Sequence, residues 1–377
     1  MMKKLLIMAS LFWPQKKGGG PPVSIMNLVL SIKDDFDIYI ISKNHELDDD
    51  KPLEGIQEGW NQFPFGKAYY VPKGMHSLKN ILSLIKYVNP DVIYQNSFFS
   101  ADDLLPVLLY KKKNKHVKVI VAPRGELYPE RISQGKLKKN LYGNILSHTG
   151  MLKDVYFQGT NKDECSQIKQ NLHIPDNYLL DIQNIAAIHS KIKQNIEKQT
   201  GELKLVYIAR IHPTKNLLNA IKWLGQVKGK VLYDIYGSIE DENYWRRCQE
   251  AIDKLPDNIT VNYKGMIEHE KVADIISNYH VYYMPTIGEN FGHSIVEALL
   301  VGRPVIISDQ TPWTDANSAG SYAIDLAQPE KFIKCINEMV DMSADDYIET
   351  CKKSEEYIIQ KLNNSNIIMQ YKKAFGG

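Results

Sequence analysis

The sequence predicts an α/β protein of two successive doubly wound, Rossmann-like domains, and three observations carry that prediction. Short, nearly continuous apolar runs of strand character alternate with helical patterns almost throughout. The alternation fails once, around 188–201, where Lys, Gln, Glu and Asn replace the apolar runs, and then restarts. The length, 377 residues, exceeds one ordinary core and suits two. Strands apolar at nearly every position belong to a parallel sheet covered by helices on both faces. Repeated strand–helix–strand units then impose right-handed crossovers.

Taken in order, the first strand falls at 5–9. The opening Met1-Met2-Lys3-Lys4-Leu5-Leu6-Ile7 imitates a secretion signal, but its apolar stretch is short, and Pro14, Lys16 and Lys17 stand where a cleavage region belongs. Strands follow at 37–42, 91–95, 117–122 and 154–158, separated by helices that include 23–33, 78–88 and 102–112. After the break come strands at 203–209, 231–236, 259–264, 281–284 and 305–308, with helices near 216–227, 243–255, 268–278 and 292–301. From Ala344 onward the pattern is helical only. The expected division is a first domain over 1–185 and a second over 186–359, with a helix at about 360–377 returning to the first. Ligands of such sheets bind beyond the carboxyl ends of the strands, so two sheets facing one another imply an interdomain cleft.

Composition sets the class. Hydrophobic content of 44% and charged content of 24% are those of a soluble globular protein. No apolar run reaches the ~20 residues of a spanning helix. Four scattered cysteines (Cys165, Cys248, Cys335, Cys351) fit neither a disulfide framework nor a zinc site and suit a reducing compartment. A net charge of +2 gives no global reason to expect nucleic acid. The runs Lys111-Lys112-Lys113 and Lys136 with Lys138-Lys139 read as solvated helix faces or, more sharply, as contacts for an anionic membrane or a phosphorylated acceptor.

The most informative stretch is Pro285-Thr286-Ile287-Gly288-Glu289-Asn290-Phe291-Gly292-His293-Ser294-Ile295-Val296-Glu297. It leaves a buried strand and enters an apolar helix. The helix start at Gly292, His293 and Ser294 leaves amide groups for an anion. Glu289 in the loop and Glu297 two turns into the helix suit a ligand that also carries hydroxyls. A second constellation, Arg210-Ile211-His212-Pro213-Thr214-Lys215, sets two cations at a strand's carboxyl end, placed to neutralise a diphosphate. A third, Gly18-Gly19-Gly20 ahead of the first helix, lets the backbone approach a phosphate, although it is neither a Walker loop nor a spaced dinucleotide fingerprint. Ala122-Pro123-Arg124-Gly125-Glu126 ends another strand and is either a plain turn or, with Asn96, an acceptor-side contact. Asp35-Phe36-Asp37 and Asp48-Asp49-Asp50 read as solvated charge, no histidine pair has metal-ligand spacing, and no serine sits in a nucleophile elbow. Trp13, Trp60, Trp223, Trp245 and Trp313 read as packing groups.

Together these residues, with Val305 to Trp313 and Phe157-Gln158-Gly159-Thr160-Asn161-Lys162-Asp163-Glu164, resemble the retaining GT-B glycosyltransferases of family four over nearly the whole chain. The resemblance implies that Arg210 and Lys215 stabilise the departing diphosphate in place of a divalent metal. Glu289 would meet the donor sugar's hydroxyls and Glu297 the ribose. The donor set extends to Gly18, Gly19, Gly20, Gly237, Gly265, Asn290, Phe291, Gly292, His293 and Ser294. Asn184 fits the end of the interdomain segment, and Ser238-Ile239-Glu240-Asp241 resembles members that build bacterial surface polysaccharides. Two departures stand out: Arg124 occupies a region where relatives place a histidine, and His293 stands where an apolar residue is common. The activity implied is transfer of a hexose or N-acetylhexosamine from a UDP- or GDP-sugar to a saccharide, lipid-linked acceptor, with no cofactor or metal, in the cytoplasm or peripherally on the inner membrane face. A sugar-nucleotide epimerase of the same shape would need acid–base groups flanking the sugar carbon, and no such pair is evident. A silent sugar-nucleotide-binding partner in an assembly complex would not need the intact charged set.

Overall fold

The computed structural model describes residues 2–376 except 16–17, 47–48, 50, 130–131, 133–135, 187–195 and 363. The chain forms two compact units, Met1–Ile185 with Asn364–Gly377, and Ala186–Asn363. Lys16, Lys17, Asp48, Asp50 and most of the expected linker at 188–201 lie outside the described residues.

The first unit runs β1 (Lys3–Met8), α1 (Gly20–Ile32), β2 (Phe36–Lys43), β3 (Trp60–Phe63), β4 (Gly66–Val71), α2 (Leu78–Val88), β5 (Val92–Asn96), α3 (Ala101–Lys113), β6 (Lys118–Ala122), α4 (Lys136–His148), β7 (Val155–Gly159), α5 (Lys162–Leu172) and β8 (Leu179–Asp181). Its sheet order is β3-β4-β2-β1-β5-β6-β7-β8. Only the β3–β4 pair is antiparallel among these strands. Every residue of Leu5-Leu6-Ile7-Met8 is fully buried. Leu6 and Met8 pack with Ile81, Ile85, Leu104 and Ile168 on one face, Leu5 and Ile7 with Ile25, Leu28 and Val29 on the other. A strand sandwiched this way has no polar side, which is why its sequence does not alternate.

The second unit runs β9 (Glu202–Ile208), α6 (Leu217–Leu224), β10 (Lys230–Tyr236), α7 (Glu242–Ile252), β11 (Ile259–Gly265), α8 (Val272–Ile276), β12 (Val281–Met284), α9 (His293–Leu300), β13 (Val305–Ser308), β14 (Tyr322–Ile324), α10 (Pro329–Asp341) and α11 (Ala344–Lys361). Its described strands are all parallel, in the order β11-β10-β9-β12-β13-β14. The last helix, α12 (Asn364–Ala374), belongs to the first unit. There Tyr371 and Phe375 pack their rings on Tyr94, and Lys372 pairs with Asp35 at 2.8 Å.

The structure departs from the sequence reading in particular places. The β3–β4 hairpin has no counterpart in it, because Asn61, Gln62, Pro64 and Gly66 interrupt the apolar run. Strands β8 and β14 are three residues each, too short for periodicity to register. The helix expected over 268–278 is a 3₁₀ turn, His269–Lys271, followed by α8. The Ser277 hydroxyl and Asn278 amide both donate to the Asp274 carbonyl, at 2.6 and 2.7 Å, and stop it. The four cysteines are free thiols.

Candidate functional site

Parallel strands place their carboxyl ends on one edge, so in the second unit Ile208, Tyr236, Gly265, Met284 and Ser308 end along a common line. The segments leaving that edge carry Arg210, Lys215, Glu289 and the start of α9. The β9 segment turns at once: His212 caps a 3₁₀ turn over Pro213–Lys215, its Nδ1 accepting from the Thr214 amide at 3.3 Å. Asn216 then reaches across, its amide donating to the Pro285 carbonyl at 2.9 Å. The Ile287 amide and Thr286 hydroxyl both donate to the Thr214 carbonyl, at 2.9 and 3.0 Å. Two loops far apart in sequence are thereby laced into one surface.

On that surface Lys215 Nζ donates to Glu289 Oε1, with both side chains mostly buried. The Glu289 amide donates to the Gln310 carbonyl at 3.0 Å, which fixes the carboxylate from the β13 side. The strand-to-helix turn is completed by Gly292, whose φ of 74° is left-handed and whose Cβ would come within 2.8 Å of Ile295. Gly292 is the N-cap of α9, and its carbonyl accepts from the Ile295 and Val296 amides at 3.0 and 3.1 Å. Phe291 is buried and held from beneath: Trp313 Nε1 donates to its carbonyl at 2.6 Å and the two rings meet edge to face. His293 packs against the Phe291 ring at 4.8 Å.

Tyr282 ties the helix start to the end of β9. Its hydroxyl donates to the Ile208 carbonyl at 3.1 Å and lies 2.7 Å from Ser294 Oγ. Burial pushes its acidity far from the neutral range, so the phenol stays protonated. Glu297, buried on α9, lies 3.4 Å from His269 Nε2. Arg210 forms an ion pair with Glu240, both carboxylate oxygens lying on Nη1 at 2.7 and 2.9 Å. Gly237 explains how those segments approach so closely: a Cβ there would lie 1.9 Å from the Ala209 carbonyl oxygen. Gly265 is a neighbour of the same edge, its carbonyl accepting from the Gly237 amide at 2.9 Å. Asn290 sits in the loop between Glu289 and Phe291 and is half-buried.

The first unit brings together the three acceptor-side candidates in another way. Arg124 has a left-handed φ of 57°. Its guanidinium donates to Asn96 Oδ1 at 3.0 and 2.8 Å, to the Tyr94 hydroxyl at 2.9 Å, and to Asn184 Oδ1. Asn96 in turn donates to the Met8 carbonyl at 3.3 Å. Arg124 and Asn96 therefore interlock loops after β6 and β5 rather than standing apart. Glu126 is a loop-fixing carboxylate: it accepts from the Ser97 hydroxyl at 2.6 Å and from the Phe98 and Phe99 amides at 2.7 and 3.1 Å. Burial pushes its pKa up, against the lowering effect of those hydrogen bonds. Gly18 and Gly19 precede α1 and Gly20 opens it, with Gly19 at its N-cap in a positive-φ conformation.

Sequence reasoning missed the supporting residues. Glu240 was read only as part of a stretch, Tyr282 as a strand residue, and Trp313 as packing. Only Trp313 carried a usable signal, since a buried indole N–H requires an acceptor. Among the described residues no group of three or more His, Cys, Asp or Glu is arranged to hold a metal ion.

Comparison with known proteins bears on the second unit and on the fold. The family model described as Glycosyl transferases group 1 matches residues 189–361, nearly the whole second unit. An uncharacterized 41.2 kDa protein in the cps region of Klebsiella pneumoniae is 22% identical over 307 residues, 77% of this chain and 80% of its own length. Anabaena Alr3699/HepE, solved with UDP and glucose, superposes with a TM-score of 0.71 at 13% identity over 99% of each chain. S. aureus TarM, solved as a mutant with fondaparinux, α-GlcNAc-glycerol and UDP, gives 0.71 at 12% identity over 100% of each chain. At such identities the likeness to these structures establishes the fold, that of the GT-B glycosyltransferases.

Proposed function

We propose that this chain, whose second unit matches the group 1 glycosyltransferase family model, is a retaining enzyme that transfers a hexose or N-acetylhexosamine from a UDP- or GDP-sugar to a saccharide acceptor. Lipid-linked saccharide of a bacterial surface polysaccharide is the acceptor class we favour, bound by the first unit. The observation that carries the reading is the single strand-end edge that bears Arg210, the Lys215–Glu289 pair and the start of α9 at Gly292. Cations and a helix start at one place serve an anionic leaving group, and adjacent carboxylates serve hydroxyls.

In this reaction the anomeric bond breaks toward an oxocarbenium-like state while negative charge grows on the distal phosphate. Lys215, Arg210 and the α9 amides stabilise that charge more than they stabilise the bound donor, which is how binding becomes rate. Two protein cations fill the role that a divalent ion fills elsewhere, so turnover is expected without metal. Glu289 accepts from a donor-sugar hydroxyl while steadying Lys215, and Glu297 accepts from the ribose. The acceptor hydroxyl attacks on the face the diphosphate leaves, and a phosphate oxygen takes its proton. Configuration at the anomeric carbon is retained.

Contact with a membrane surface belongs to the same reading. No helix among the described residues is long and apolar enough to cross a bilayer. On α4, Leu141 and Ile145 stand one turn apart and are 61% and 50% exposed, beside Lys139. Apolar side chains rimmed by lysine suit an anionic interface. Sedimentation with anionic and neutral vesicles at low salt tests it; equal pelleting in both would remove this part.

The central test is a donor screen. Purified protein is incubated with UDP-, GDP-, ADP- and CMP-sugars, with and without EDTA, and released nucleotide is measured. Release from one UDP- or GDP-sugar, unaffected by EDTA and abolished in Glu289→Ala, is the expected result. Release that EDTA eliminates would overturn the metal-independent mechanism, and inversion of the product anomer by NMR would overturn retention.

A further inference from the structure

The ion pair between Arg210 and Glu240 is asymmetric, and the asymmetry is informative. Both carboxylate oxygens sit on one guanidinium nitrogen, Nη1. Among the described residues, Nε and Nη2 have no hydrogen-bond partner. Nε and Nη2 are the two nitrogens that form the side fork of a guanidinium, the geometry that matches two phosphate oxygens at once. The structure therefore holds one edge of Arg210 and leaves the bidentate edge open.

The hold on Arg210 comes from more than one side chain. The Ile211 amide donates to the Ser238 carbonyl at 2.8 Å, and the Glu240 amide donates to the Ile211 carbonyl at 3.2 Å. Ile211 and Ile239 thus continue the parallel β9–β10 ladder beyond both strands as an isolated bridge. The Tyr207 hydroxyl donates to the Arg210 carbonyl at 3.2 Å. Asp241, the next residue, caps α7 by accepting from the Tyr244 amide at 2.8 Å, which anchors the Glu240 backbone to a helix. Gly237 permits the whole approach. Glu240 stands on a short, well-anchored segment and both it and Arg210 are only partly exposed.

From this we infer that Glu240 is a positioning residue of the transferase reaction: it orients Arg210 so that Nε and Nη2 are presented to the diphosphate of a nucleotide donor. The inference rests on the transferase reading of the site. A long, flexible arginine would otherwise lose rotamer freedom on meeting the developing charge, and Glu240 removes that cost beforehand. It also moderates the cation's attraction for diphosphate in the ground state, so its contribution appears in turnover more than in donor affinity.

The test combines Glu240→Ala, Glu240→Gln and Arg210→Ala in a double-mutant cycle, read by steady-state kinetics and by calorimetry with UDP and GDP. Glu240→Ala is expected to lower kcat by about tenfold or more with a much smaller change in donor KM. Glu240→Gln, which keeps an acceptor on Nη1, is expected to recover part of that loss. In the Arg210→Ala background the effect of Glu240→Ala should vanish. A full Glu240→Ala effect persisting without Arg210, or wild-type kcat in Glu240→Ala, would overturn the inference. Melting temperatures identify a variant that fails to fold, in which case Glu240→Gln alone carries the cycle. If the wild type binds UDP or GDP but turns over no donor, the transferase reading fails, and coupling of the two residues in the calorimetric cycle still decides whether they act together on diphosphate. A wild type that binds neither nucleotide overturns both.

Discussion

Lys215 and Glu289, 74 residues apart in sequence, are joined by a direct hydrogen bond on the carboxyl edge of the second sheet. A lysine and a carboxylate neutralising one another are poised differently from two independent groups. The bond engages only one Glu289 oxygen and holds Lys215 in place, the arrangement the proposed reaction uses for a sugar hydroxyl and a phosphate. Each side chain determines the other's geometry, so in the proposed reaction the two act as one unit.

Their substitution is accordingly expected to be non-additive. Lys215→Ala removes a charge from a largely buried site and should lower kcat on the order of 10²–10³, equivalent to about 3–4 kcal/mol. Glu289→Ala should fall in the same range, and the double variant should be little worse than either. Steady-state kinetics on the identified donor measures this, and additive losses would show that the pair acts as two separate groups.

Trp313→Phe isolates the support beneath the donor loop. The variant keeps the ring contact but removes the donor to the Phe291 carbonyl, leaving that buried acceptor unmatched. Stability should drop by about 1–3 kcal/mol in urea unfolding. Nucleotide affinity should weaken in parallel, because Phe291 precedes the α9 start; unchanged affinity by calorimetry would separate the indole from the site.

Gly237→Ala tests close approach. Its φ of 148° and the 1.9 Å separation between an added Cβ and the Ala209 carbonyl leave no room for a methyl group. Backbone strain alone costs about 1–3 kcal/mol, and relief requires the Arg210 segment to move. A lowered melting temperature with donor turnover reduced beyond the loss of folded protein is the expected outcome. Wild-type turnover would mean that the segment tolerates the shift.

His280 makes the second unit acid-sensitive. Its Nδ1 accepts from the Lys204 amide at 2.9 Å, so Nε2 carries the proton and donates to the Glu197 carbonyl at 3.0 Å. Burial pushes its pKa down to about 4. The unfolded chain binds a proton near pH 6.5 and the folded chain does not, so stability is full above that pH and declines as pH falls toward 4. The slope attributable to His280 is at most about 1.4 kcal/mol per pH unit. Urea unfolding at several pH values should show it in the wild type and not in His280→Gln, and equal slopes would exclude this residue as the source.

Much of this protein is legible along the chain because parallel sheets are covered on both faces. Strands such as Leu5-Leu6-Ile7-Met8 and Val281-Tyr282-Tyr283-Met284 have no solvent side, and a wholly apolar run bounded by polar turns betrays them. The candidate edge is legible for a related reason: ligands of such sheets bind beyond the strands' carboxyl ends, so strand boundaries alone mark Arg210, Lys215, Glu289 and the Gly292 helix start as candidates. The hairpin Trp60–Val71 was not legible, since Pro64, Gly66 and polar residues dilute its pattern and its edge position exposes part of it.

Pairing between side chains is what the tertiary structure decided. Periodicity places a residue on an edge but says nothing of which neighbour it meets, because those neighbours come from other strands tens of residues away. Arg124 and Glu126, which the sequence left open between a plain turn and an acceptor-side contact, are engaged with Asn96, Tyr94 and Asn184 and with the Ser97–Phe99 backbone respectively. Glu240 came to Arg210 only through the β9–β10 register and the missing Cβ of Gly237. Local sequence determined the elements and the edge where the candidate residues lie, because burial and turn preferences act over a few residues. The partners of each charge were decided by strand register, a long-range property that exists only once the sheet has formed.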